Sequence, residues 1–208
     1  MLASGRHIVK MGHGHVALIG AGHLAVSVPV LASLSSYFGE RPMTLTLFDP
    51  DSEKVDLAFR LAQTVFTCAK AEHALAVTDS LDELAGDFTR VVYCANARSA
   101  RMVNRWAGVE ATCTDGASIE QAVAYLHAHL MSTASKEGTP LVLSLLPSEV
   151  LLPGLKHSRI DWPEAWIDDH DGRLAHQVLR WVRGDEPVFE LIQAYKRSPF
   201  LRWLDAAQ

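Results

Sequence analysis

The stretch His15-Val16-Ala17-Leu18-Ile19-Gly20-Ala21-Gly22-His23-Leu24-Ala25 decides how the chain is read. Its first half is a short apolar run that stops at a glycine, which suits a strand buried on both faces of a parallel sheet. Its second half has the form GxGxxA, and Leu24, Val28, Leu31 and Leu34 to Phe38 follow at helical spacing up to Gly39, with Pro42 beyond as a stop signal. Strand, glycine turn and helix in that order give each small residue a task. Gly20 permits the tight turn, Gly22 lets the backbone come close to a ligand, and Ala25 lets helix and strand pack closely. The start of the helix then offers free N–H groups and the positive end of its dipole to a phosphate.

Further along, Met43 to Phe48 is apolar and ends at Asp49, after which Ser52 is placed to cap a helix whose Val55, Phe59, Ala62 and Phe66 form an inward stripe. A weaker strand is expected at Ala74 to Thr78, a short acidic helical turn at Ser80 to Leu84, and a strong strand at Arg90 to Ala95. Ser118 with Gln121 reads as a capping box for a helix in which Ile119, Val123, Leu126 and Leu130 recur, and Leu141 to Leu146 supplies a fifth strand. This alternation predicts an α/β fold: a doubly wound, mostly parallel, Rossmann-like sheet with right-handed crossovers and helices on both faces. Residues 1–147 are expected to form a dinucleotide-binding domain. Residues 148–208 are expected to be a helical extension, rich in tryptophan, that packs on the domain or forms an oligomer contact.

With 208 residues the chain has room for one large domain but not for two enzyme domains. Its 49% hydrophobic and 21% charged residues match soluble globular proteins and exclude disordered or fibrous classes. A formal charge of -5 and sparse Lys and Arg give no reason to expect a nucleic-acid or membrane partner. No apolar run approaches the roughly 18 to 20 residues of a membrane span, and Met1 to Gly14 does not read as a secretory signal. Cys68, Cys94 and Cys113 form no CxxC pair, which suits a reducing cytoplasm. The expectation is a cytoplasmic protein that forms a homo-oligomer, in its simplest form a homodimer.

The glycine loop and Asp49 together make NAD the expected cofactor. At the end of the second strand, a carboxylate can accept hydrogen bonds from both hydroxyls of an adenosine ribose and would repel a 2'-phosphate. Pro50-Asp51 adds a second negative charge instead of an arginine, which favours NAD over NADP. The competing reading is that Asp49 only starts a turn and caps the next helix. An S-adenosylmethionine site ranks lower, because Val16-Ala17-Leu18-Ile19 holds no carboxylate. The expected cofactor-binding residues are Gly20, Ala21, Gly22, His23, Leu24, Asp49, Pro50, Ala95 and Asn96. His23 either meets the pyrophosphate or projects to solvent. Arg98, Arg101 and Arg105 would share one helix face if the segment after the fourth strand continues as a helix, and are candidates for a small anionic substrate; the other reading is a solvated basic face. His7 and His13-Gly14-His15 fall short of a ligand set, so no metal is expected. Asp168-Asp169-His170-Asp171 with His176 reads either as an acid-base cluster or as a polar turn capping a helix.

The segments Val16-Ala-Leu-Ile-Gly-Ala-Gly-His23, Leu45-Thr-Leu-Phe-Asp-Pro-Asp-Ser-Glu-Lys-Val55 and Leu61-Ala-Gln-Thr-Val65 resemble the N-terminal NAD domain of the lactate/malate dehydrogenase and family 4 glycoside hydrolase superfamily. The resemblance continues more weakly to Pro147. It implies that the segment Ala95 to Met102 covers the nicotinamide. Two departures bear on activity. The chain reads Leu146-Pro147-Ser148 where the superfamily commonly has Asn-Pro, and the residues after Pro147 are too few for the second domain that supplies the catalytic groups. No catalytic residue is therefore carried over. Two readings stay open: a minimal NAD-dependent oxidoreductase, or a non-catalytic NAD(H)-binding sensor or assembly module.

Overall fold

The structure is a computed structural model that describes residues 14–35, 42–109, 115–134, 139–146, 150, 152, 154–159 and 199–206. In chain order its elements are β1 (His15–Ile19), α1 (Leu24–Ser35), β2 (Thr44–Phe48), α2 (Ser52–Ala69), β3 (Ala74–Thr78), β4 (Arg90–Tyr93), α3 (Ala97–Trp106), α4 (Asp115–Thr133), β5 (Leu141–Ser144), β6 (His157–Arg159) and α5 (Pro199–Ala206). The strands form one parallel sheet in the order β3-β2-β1-β4-β5-β6. β1 pairs with β2 on one side and with β4 on the other, so the winding reverses there.

Alternation along β1 shows the two faces. Val16 and Leu18 join a core shared with α1, α2 and α5, whereas Ala17 and Ile19 join one shared with α3 and α4. Both sets are fully or almost fully buried, which is why the strand reads as a continuous apolar run. α1 is buried at all of its positions, as expected of a helix with no polar face. Pro29 lies inside it and cannot donate a backbone N–H, and the Ser33 hydroxyl donates to the Pro29 carbonyl at 2.6 Å. α5 closes this layer, with Phe200 and Leu204 in the same core as Leu31 and Leu34.

Several local expectations are corrected. The cap of α2 is Asp51, not Ser52: its side chain accepts from the Lys54 N–H. The buried face of α2 is Val55, Ala58, Leu61, Ala62, Val65 and Phe66, which leaves Phe59 only partly buried at its border. Residues 81–83 make a turn rather than a helix, anchored by Leu84 in the core and by the Thr78 hydroxyl donating to Glu83. α4 begins at Asp115, so Ser118 is inside it; its inward stripe of Ile119, Val123, Leu126 and Leu130 is as expected. The sheet also continues beyond Pro147. β6 pairs in parallel with β5, and its three residues His-Ser-Arg carry no apolar signal by which a strand could be read.

Candidate functional site

The glycine loop is bound to the end of β2. The N–H groups of Gly20 and Ala21 both donate to the Phe48 carbonyl, at 2.8 and 2.9 Å. Gly20 has φ +85°, and a Cβ there would sit 2.4 Å from the Ala95 nitrogen, so neither the conformation nor the space admits a side chain. Gly22 is constrained differently. A Cβ on it would meet Lys54 Cβ at 2.6 Å and Asp49 Cγ at 2.8 Å, so what closes on this glycine is the start of α2 and the carboxylate beside it.

Asp49 is 1% exposed and receives two backbone N–H groups: Gly22 donates to Oδ2 at 3.0 Å and Asp51 to Oδ1 at 2.9 Å. Burial nevertheless dominates and pushes its pKa up to about 6, with those two hydrogen bonds opposing the rise. Neighbouring Asp51 adds to the rise and Arg98 opposes it. The helix-capping role considered for Asp49 belongs to Asp51, while Asp49 ties β2 to the glycine loop.

His23 opens α1: its carbonyl accepts from the Val26 and Ser27 N–H groups. Its ring lies toward the end of β4, with Nδ1 2.8 Å from the Cys94 carbonyl, and since a carbonyl only accepts, Nδ1 carries the proton. The Cys94 thiol is buried beneath the loop, donates to the carbonyls of Ile19 and Gly20, and has its pKa pushed up by burial.

The facing wall is the start of α3. The segment after β4, read from sequence as a loop from Ala95 to Met102, is helical from Ala97 onward. Asn96 caps it by accepting from the Arg98 and Ser99 N–H groups, and the Ser99 hydroxyl accepts from the Asn96 N–H in return. Arg98 and Arg101 and Arg105 therefore do lie on one helix, but only Arg98 reaches the cavity, where its Nη2 is 2.8 Å from Asp51 Oδ2. Arg101 and Arg105 are exposed.

These walls enclose a cavity of about 310 Å³ at the carboxyl ends of β1, β2 and β4. Gly22, His23, Leu24, Asp49 and Asn96 from the expected cofactor set line it, as does Arg98. Gly20 and Ala95 pack beneath the loop, Ala21 is tied to Phe48, and Pro50 is buried. Sequence reasoning missed Ala25, Asp51, Lys54 and Ser99, which also line the cavity. The spacing Asn96-x-x-Ser99 was the available signal for the α3 start. It has the form of a capping box with serine in place of the usual Glu or Gln.

Among the described residues no group of three His, Cys, Asp or Glu is arranged to hold a metal. His15 instead bonds the Thr46 hydroxyl at 2.8 Å and packs on Phe88. His7, His13, Cys113, Pro147-Ser148 and the Asp168 to His176 cluster lie outside the described residues. No helix among the described residues is long and apolar enough to cross a membrane.

No family model matches the chain, and no curated protein matches it. Among solved structures it is similar to a 6-phospho-α-glucosidase from gut microorganisms in complex with NAD and glucose-6-phosphate, at 16% identity and a TM-score of 0.55, over 71% of this chain and 39% of that one. The fold is Rossmann-like. Two further matches are a 6-phospho-β-glucosidase from Thermotoga maritima (13% identity, 65% of this chain and 34% of that one, TM-score 0.44) and a malate dehydrogenase from Naegleria fowleri (14% identity, 64% and 39%, TM-score 0.45). At these identities the likeness is one of fold. The chain spans well under half the length of each of these proteins.

Proposed function

We propose that the Rossmann-like chain binds NAD in this cavity and is an oxidoreductase-like protein. The observation that carries the reading is Asp49, a buried carboxylate at the end of β2 that is fixed by the Gly22 N–H inside a cavity at the reversal of the sheet. Open α/β sheets bind their ligands at this reversal. Each Asp49 oxygen accepts one backbone N–H and keeps a lone pair for a ribose hydroxyl. The start of α1 then faces the pyrophosphate, with Asn96 and Ser99 toward the nicotinamide half. The NAD named with the glucosidase structure supports the same assignment.

A second reading, a non-catalytic NAD(H)-binding module, is favoured by the engagement of the cavity's ionisable groups with protein. His23 Nδ1 bonds the Cys94 carbonyl, Asp49 holds two N–H groups, and Asp51 serves the α2 cap and Arg98. An anionic substrate beside Arg98, a cytoplasmic setting and a homo-oligomer that uses residues 148–208 belong to the same proposal. Calorimetry with NAD and NADP, on the wild type and on Asp49→Ala, tests the cofactor. NAD should bind more tightly than NADP, and the substitution should weaken NAD by about tenfold or more, the worth of hydrogen bonds to a charged acceptor. Absence of binding for both dinucleotides at millimolar concentration overturns the proposal.

A further inference from the structure

Asp51 and Arg98 stand on opposite walls of the cavity, the first capping α2 and the second in the first turn of α3. Their contact is 2.8 Å long, yet Asp51 Oδ2 is buried and has no hydrogen-bond partner, so the pair is held by charge without an aligned donor. The two ends are held unequally. The Asp51 side chain is 10% exposed and fixed by the Lys54 N–H, whereas that of Arg98 is 68% exposed. At its Arg98 end the pair lies largely in solvent, where the guanidinium loses little by changing partner. A guanidinium meets phosphoryl oxygens in a bidentate fork that this single contact does not use. The local sequence Pro50-Asp51 offers no arginine at the ribose end of the site, but the fold brings one there from the other side of the sheet reversal.

We infer that Arg98 is a phosphate-binding residue of the cavity, held by Asp51 and transferred to a phosphoryl oxygen of the dinucleotide when it binds. The inference rests on the nucleotide reading above. Asp51 then acts in two opposed ways: it keeps the guanidinium over the cavity, and it competes with the ligand for it.

The test titrates NAD, NADP, ADP and adenosine into the full chain as wild type, Arg98→Gln and Asp51→Asn. Asparagine retains the oxygen that caps α2, and position 98 is exposed, so both variants should fold; their thermal midpoints check this. Arg98→Gln should weaken NAD and ADP by about tenfold while adenosine is unchanged. Asp51→Asn should tighten NAD and ADP by about threefold, the scale of an ion pair with one end in solvent. Equal losses for NAD, NADP and ADP assign the contact to the pyrophosphate and support the inference, whereas a loss confined to NADP assigns it to a 2'-phosphate and overturns it. Unchanged or tighter NAD binding in Arg98→Gln, or weaker binding in Asp51→Asn, overturns it and leaves the nucleotide reading standing. A wild type that binds neither NAD, ADP nor adenosine overturns that reading and this inference together.

Discussion

Asp49 carries opposite demands. Its pKa is raised to about 6 because burial costs the ionised form more than two N–H groups return, so the folded state holds its proton more tightly than the unfolded chain. The stability it contributes is fully present below pH 4 and is lost as pH rises through about 6. Three half-buried histidines work in the other direction: burial lowers the pKa of His15, His73 and His127, so their contribution is present above pH 6.5 and lost on acidification. The Asp49 component is isolated by comparing wild type with Asp49→Asn in urea. Relative to wild type, the variant should lose on the order of 3 kcal/mol between pH 7 and pH 4. A constant difference would show that the carboxylate does not titrate in that window. Binding follows the charged form, so NAD affinity should fall below about pH 6 in wild type and stay flat in Asp49→Asn. Gly22→Ala is a separate residue-scale case. Its methyl would enter the space of Lys54 Cβ and Asp49 Cγ, and it should destabilise the fold by roughly 1–3 kcal/mol and abolish NAD binding, as read by urea unfolding and calorimetry.

Elements were legible wherever one residue type announced them. The apolar runs of β1, β2 and β5, the glycine loop and the inward stripe of α4 could be read without a partner, because burial on both faces or on one stripe leaves a periodic trace. Polar elements left none. β6 is a strand only because β5 offers it an edge, and α3 starts at a box built from Asn96 and Ser99 rather than from an apolar pattern. The cavity was half legible for the same reason: Gly22 and Asp49 belong to a local motif, whereas Lys54 and the Asp51–Arg98 pair are juxtaposed by the crossovers. The α3 start has its own test. Asn96→Ala removes two accepted N–H bonds and should cost about 1 kcal/mol by chemical denaturation, with a loss of NAD affinity because the same residue lines the cavity. Unchanged stability would argue against the cap.

For the whole molecule, the described part of the segment after Pro147 is a structural component of the fold. β6 extends the sheet, and α5 places Phe200, 0% exposed, and Leu204 in the core on the α1 face. Phe200→Ala should therefore cost roughly 3–5 kcal/mol, as measured by the shift in urea midpoint at constant slope. A cost under 1 kcal/mol would mean that α5 is only loosely seated.

The same seating fixes an order of events on the ribosome. α1 emerges long before α5 and has no polar side to turn outward, yet part of its cover is α5, which follows every described strand of the sheet. At ordinary elongation rates this delay is on the order of ten seconds, during which a sticky helix waits for its lid and invites chaperones or neighbouring nascent chains. A product stopped at residue 198 would keep that exposure permanently, and should sediment from lysates in which the full chain stays in the supernatant.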